Sequence, residues 1–174
     1  NEHLSGKGNV ALMLIDKGNI VFEGYTKGSN DEKRFVSMSM AKSLTSLAIG
    51  EAFCAGKISS LNDPAEKYAP ELKGLVFGSA RIVDLLKMNS GVKTAQEFHG
   101  NPYQTSGDDL IFHKVTTIAL LKKYDNSGFK SIFGNTWNYS NLDTDSLNYV
   151  VRGATGQSLG DWYAATVAQK AGLS

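Results

Sequence analysis

The 174-residue sequence predicts an α+β fold, with an N-terminal strand hairpin over 1–34 and a mostly helical region over 35–174. Two observations carry that expectation. The apolar runs Val10 to Asp16 and Ile20 to Tyr25 flank Lys17-Gly18-Asn19, where glycine permits the positive φ of a tight hairpin. After the polar connection from Gly28 to Arg34, the apolar residues recur at helical spacing, and Ser, Asp, Gly and Pro punctuate the chain where helices begin and end.

Each element follows in order. The first strand is almost continuously apolar, which predicts cover on both faces. Two strands alone are marginal in water, so further partner strands are expected. Met38 to Ala55 contains no Pro and a single Gly, and reads as the longest helix. Ser37 is its expected N-cap, Leu44, Leu47, Ala48 and Ala55 its apolar stripe, and Gly56 its C′ residue. Asp63-Pro64 reads as an N-cap followed by proline at the first helical position, opening a short helix that stops near Pro70. Ser79 is the expected cap of a helix from Arg81 to Met88, ended by Asn89-Ser90-Gly91. A loop from Val92 to Asp108 precedes helices at Asp109 to Lys114 and Thr116 to Tyr124. Asp143 to Arg152 is helical and ends before Gly156, and Ser158 with Asp161 has capping-box-like spacing at the head of a helix from Leu159 to Lys170.

Bulk properties exclude several classes of function. A net charge of +1 leaves no electrostatic footprint for nucleic acid or an anionic membrane. The longest fully apolar run, Val10 to Ile15, is too short to span a bilayer, and no signal peptide is visible. Cys54 stands alone, which rules out an internal disulfide and a cysteine-rich metal site; late in the long helix it is expected to be a small buried hydrophobe. His3, His99 and His113 are scattered without H-E-x-x-H spacing, so no metal and no cofactor is expected. There is no G-x-S-x-G elbow, and Gly6-Lys7-Gly8 lacks the spacing of a phosphate loop.

The chemistry concentrates at Ser39-Met40-Ala41-Lys42. A serine hydroxyl is a poor nucleophile until a base takes its proton, and residues three apart on a helix share a face. The same S-x-x-K spacing recurs at Ser90 and Ser127, but both sit in glycine-containing turn clusters that do not guarantee a shared face. Only Ser39 opens a sustained helix. Further along, Tyr139-Ser140-Asn141 lies before a predicted helix and offers a phenol and an amide to one pocket. The similar Tyr124-Asp125-Asn126 falls where a helix runs out into a turn.

Phe35-Val36-Ser37-Met38-Ser39-Met40-Ala41-Lys42 resembles the first motif of the serine β-lactamase-related hydrolases, which include class C β-lactamases, DD-peptidases, esterases and 6-aminohexanoate-dimer hydrolases. Four further stretches resemble the family in order: Gly56-Lys57-Ile58 with Leu61-Asn62-Asp63-Pro64, Tyr68 to Leu72, Leu85 to Gly91, and Trp137-Asn138-Tyr139-Ser140-Asn141 with its following helix. The resemblance implies a β-lactamase/transpeptidase-like fold and a small-molecule amide or ester substrate, with no nucleic acid or metal partner. Ser39 would form an acyl-enzyme, and its backbone N–H would be one oxyanion donor. Two routes to the Ser39 proton stay open. A neutral Lys42 takes it, which requires roughly three units of depression from an ordinary value of ~10.4. Alternatively, a charged Lys42 lowers Tyr139, whose phenolate takes it. Asn141 would bind substrate or orient Lys42. The family's third motif, Lys or His followed by Thr/Ser-Gly, is absent: Ala154-Thr155-Gly156 lacks the cation and His99-Gly100 the hydroxyl. The expectation is therefore an N-terminal part of a longer protein, inactive alone, with a periplasmic or secreted location implied by the family. Two other readings remain, a penicillin-recognition sensor that is acylated without turnover and a degenerate scaffold.

Overall fold

A computed structural model describes residues 11–35, 37–92, 116–125 and 137–172. The loop expected from Val92 onward lies, beyond Val92, outside the described residues, as do the helix expected at Asp109 to Lys114 and Ser127. The chain divides into two compact units, Asn1–Met38 and Ser39–Ser174.

In the first unit, β1 (Ala11–Asp16) and β2 (Asn19–Tyr25) pair antiparallel, with Asp16 opposite Asn19 and Ala11 opposite Tyr25. Lys17 (φ 48°) and Gly18 (φ 80°) both take positive φ, the conformation that matches a two-residue turn to the twist of its strands. The expected cover on both faces is absent among the described residues: Met13, Leu14, Ile15, Ile20 and Val21 are all exposed.

The second unit holds the core. After a 3₁₀ turn at Met38–Met40 come α1 (Ala41–Cys54), α2 (Val76–Ser79), α3 (Ile82–Leu86), α4 (Thr117–Asp125), α5 (Asn141–Thr155) and α6 (Leu159–Tyr163), the last running into a π turn at Ala164–Ala168. α5 lies at the centre and packs on α1, α3, α4 and α6. Leu142, Leu147, Val150 and Val151 point into that core, where they meet Ala48, Ile49, Phe77, Leu85, Leu120 and Leu121. The Trp162 indole N–H donates to the Ala48 carbonyl at 3.0 Å, tying α6 to α1.

Several boundaries differ from the sequence-based expectation. Ser37 does not cap α1. Met38 opens the 3₁₀ turn with a left-handed backbone (φ 45°), and the cap position falls on Met40 with no side-chain bond. The buried face of α1 is Thr45, Ala48, Ile49 and Ala52, while Leu44 and Leu47 are exposed. Apolar residues occur all round this helix, so periodicity does not select a face. The packing places the small Ala48 and Ala52 inward, where they let neighbouring helices approach. Cys54, expected to be buried, is exposed on the opposite side. Gly56 does take the left-handed conformation after the helix (φ 70°).

Pro64 is an extended N-cap (ψ 142°) rather than the first helical residue, and only a 3₁₀ turn at Ala65–Lys67 follows. Its extended backbone is recruited into an antiparallel bridge with Arg81, with Ala65 N–H on the Ala80 carbonyl at 2.9 Å and Ile82 N–H on the Asp63 carbonyl at 3.1 Å. The same bridge displaces the expected Ser79 cap. Ser79 ends α2, and Arg81 precedes α3 with its guanidinium forked onto Asp84 at 2.7 and 2.9 Å. α5 begins two residues earlier than expected, capped by Ser140, and stops at left-handed Gly156. Ser158 does cap α6, accepting from the Asp161 N–H at 3.1 Å.

Candidate active site

Ser39 sits in the 3₁₀ turn immediately before α1, with its side chain exposed; Lys42 lies one turn on, in the first turn of the helix. The spacing does what helical geometry requires: the Lys42 ammonium donates to Ser39 Oγ at 3.2 Å. Tyr139 comes from a remote part of the chain. Lys42 Nζ lies 5.1 Å from the centroid of its ring, and the phenol makes hydrogen bonds with both Ser39 and Lys42. An alcohol, an ammonium group and a phenol therefore converge.

What holds Tyr139 there is a web around the start of α5. Asn138 is fastened twice, its backbone N–H to the Met88 carbonyl at 3.1 Å and its amide Nδ2 to the Val92 carbonyl at 3.1 Å. Ser140 is buried and caps α5 by accepting from the Asp143 N–H at 3.1 Å. Asp143 is itself buried, and its carboxylate accepts from the Ser90 hydroxyl at 2.7 Å and the Ser90 N–H at 3.2 Å. Ser90, the second S-x-x-K serine, is thereby turned into the core as a brace. The turn Met88-Asn89-Ser90-Gly91 and the segment 137–140 are locked together by these bonds.

Electrostatics follow from the same arrangement. Burial alone would raise the Tyr139 phenol; its hydrogen bonds to Ser39 and Lys42, with the Lys42 charge, outweigh that and leave it below the ordinary tyrosine value. Burial pushes the Asp143 carboxyl up to about 6, against the opposing Ser90 and Ser140 hydrogen bonds. Asp145, one helical turn beyond Asn141, is pushed up to about 6 by burial as well, opposed by the charge of Lys42. Asn141 is the first residue of α5; its side-chain oxygen is buried and accepts no hydrogen bond among the described residues.

Sequence reasoning singled out Ser39, Lys42, Tyr139 and Asn141, and the first three meet here. It missed Ser90, Asp143 and Asp145. The i, i+4 relation of Asn141 to Asp145 is the one signal that placed Asp145 on the same face, and nothing local pointed to the pairing of Ser90 with Asp143. Among the described residues no group of His, Cys, Asp or Glu is disposed to hold a metal ion, and no helix is long and apolar enough to cross a membrane.

Comparison with known proteins adds the following. The Beta-lactamase family model matches residues 3–174. A 6-aminohexanoate-dimer hydrolase of Paenarthrobacter ureafaciens is 25% identical over 88 residues, covering 51% of this chain and 22% of that protein. A penicillin binding protein from Bacillus halodurans superposes with a TM-score of 0.69 at 23% identity, covering 93% of this chain and 51% of that one. A D-stereospecific amidohydrolase from Streptomyces sp. does so with a TM-score of 0.64 at 22% identity, covering 86% and 45%. The chain thus spans about half of those solved structures, and the matched stretch is a smaller share of the curated relative. The superpositions carry the β-lactamase/transpeptidase-like fold.

Proposed function

The chain belongs to the beta-lactamase family, a family of hydrolases, and from that premise we propose that Ser39 is the nucleophile of a serine hydrolase that cleaves an amide or ester through an acyl-enzyme. The observation that carries the reading is the 3.2 Å bond from Lys42 to Ser39 Oγ, with the Tyr139 phenol bonded to the same pair.

The geometry favours one of the two proton routes. The Lys42 hydrogen bond and charge favour the Tyr139 phenolate, in line with the downward shift of that phenol. The phenolate takes the Ser39 proton as Oγ bonds to the carbonyl carbon. The proton then passes to the departing nitrogen or oxygen as its bond to that carbon breaks. Water, deprotonated in turn by Tyr139, attacks the acyl carbon; the bond to Ser39 Oγ breaks, and the proton returns to Ser39. Asn141, two residues after Tyr139 and with a buried acceptor unused among the described residues, would hold the substrate amide or orient Lys42.

The test is covalent labelling of the complete gene product with a fluorophosphonate and with a labelled penicillin. Mass spectrometry is expected to place the label on Ser39, and Lys42→Ala is expected to slow labelling by about 10²–10⁴-fold with the thermal transition unchanged. A label on any other residue, or wild-type kinetics in Lys42→Ala, overturns the proposal. A penicillin acyl label on Ser39 that is never released, in a protein that turns over no ester or amide, selects the penicillin-recognition reading over turnover.

A further inference from the structure

Among the described residues, large apolar side chains beside this site are exposed, including Met40 next to Ser39 and Trp137 two residues before Tyr139. Trp137 is 65% exposed, although an indole is among the most costly side chains to leave in water. It is also held in place. Its ring meets the Tyr139 ring edge-on, with centroids 6.3 Å apart and planes at 73°. The next residue, Asn138, is fastened by its two hydrogen bonds to Met88 and Val92, so the backbone between the two rings is anchored. Trp137, Tyr139 and Lys42 thus form a row, with Lys42 on the Tyr139 ring at 5.1 Å and Ser39 Oγ bonded to Lys42.

We propose that the Trp137 indole is a binding platform for an uncharged, apolar chain flanking the carbonyl that Ser39 attacks. The inference rests on Ser39 being the nucleophile and narrows the substrate class of that site. Its physical basis is the charge pattern of the row. An aromatic face carries negative quadrupole charge, so it attracts apolar groups and cations and has nothing to offer an anion. The Lys42 ammonium close by repels a cation, and an anion drawn to Lys42 would sit at Ser39 and the Tyr139 phenol rather than against the indole face. What remains is a neutral chain, which gains by covering the exposed indole. The row does not distinguish the acyl side of the scissile bond from the leaving side, so each is varied separately.

The experiment measures kcat/KM of the complete gene product on two ester series, acyl chains from acetate to hexanoate on one alcohol, and alcohols from methyl to hexyl on acetate. Wild type is expected to prefer the long member of one series by about tenfold, the scale of apolar discrimination in an open site. Trp137→Ala is expected to abolish that preference while leaving the short member within about twofold, and Trp137→Phe to retain most of it. Fluorophosphonate labelling of Ser39 runs alongside. If Trp137→Ala is labelled at Ser39 at the wild-type rate and chain-length dependence is unchanged in both series, the Trp137 assignment alone is overturned. A fall of equal size on short and long esters overturns it too. If wild type carries no label at Ser39, the nucleophile reading falls and this inference with it.

Discussion

Asp143 decides how firmly Tyr139 is presented, because its carboxylate joins the Ser90 turn to the head of α5. That brace is built from a buried acid, and it has a pH signature. The folded-state value is raised, to about 6 from an ordinary 3.8, so the native protein binds the proton more tightly than the unfolded chain. Its contribution to stability is fully present below pH ~4 and is lost as pH rises through about 6, a difference on the order of 3 kcal/mol. Asp143→Asn keeps the shape and a hydrogen bond to Ser90, yet cannot ionise. Urea unfolding at pH 4.5 and pH 7 is expected to show this Asp143-dependent loss in the wild type and a flatter dependence in the variant; identical slopes would mean that Asp143 titrates as an ordinary surface acid. At the same scale, the Ser39–Lys42 pair was legible because both groups sit on one continuous stretch of backbone. The exposure of Cys54 was not, since a lone cysteine carries no sign of which side of its helix faces the core.

Among the elements, α5 is the one on which the site depends, and its distance from the neighbouring 3₁₀ turn is set by a glycine. A Cβ on Gly153 would collide with the backbone carbonyl of Tyr68, a group with no rotamer by which to retreat. Gly153→Ala is therefore expected to destabilise the fold by about 1–3 kcal/mol despite alanine's better helix propensity. A stabilised variant in chemical denaturation would show that the contact relaxes freely. The C-terminal end of α5 and the start of α6 were readable from Gly156, Ser158 and Asp161, residues whose side chains or φ angles act within one turn. The segment from Asp63 to Met88 was misread for the opposite reason. The bridge from Pro64 to Arg81 joins positions distant in sequence, and it overrode the local preference of Asp63-Pro64 and of Ser79 to start helices. On α1 the difficulty was different again: with apolar residues all round, only its neighbours could choose Ala48 and Ala52 over Leu44 and Leu47 as the inner face.

At the scale of the whole molecule, two properties bear on activity. The chain spans about half of the solved structures it resembles, and the third motif that the family resemblance implies is not found in it. Exposed apolar side chains occur in each unit: Ile15 and Val21 on the hairpin, Leu47 and Phe53 on α1. Residues 1–174 expressed alone are therefore expected to bind a hydrophobic dye and to show no esterase or amidase turnover. Robust turnover by this stretch in isolation would contradict that expectation.

The sequence by itself determined the hairpin turn, the order and approximate extent of the long helices, and the reach of Lys42 to Ser39, because each is settled by backbone geometry over a few residues. Only the tertiary structure decided that Tyr139 closes on that pair, that Ser90 braces Asp143 rather than serving as a second nucleophile, and that Asp143 and Asp145 are raised acids. Convergence of remote segments and removal of water from a charge are products of packing, and no local spacing encodes them.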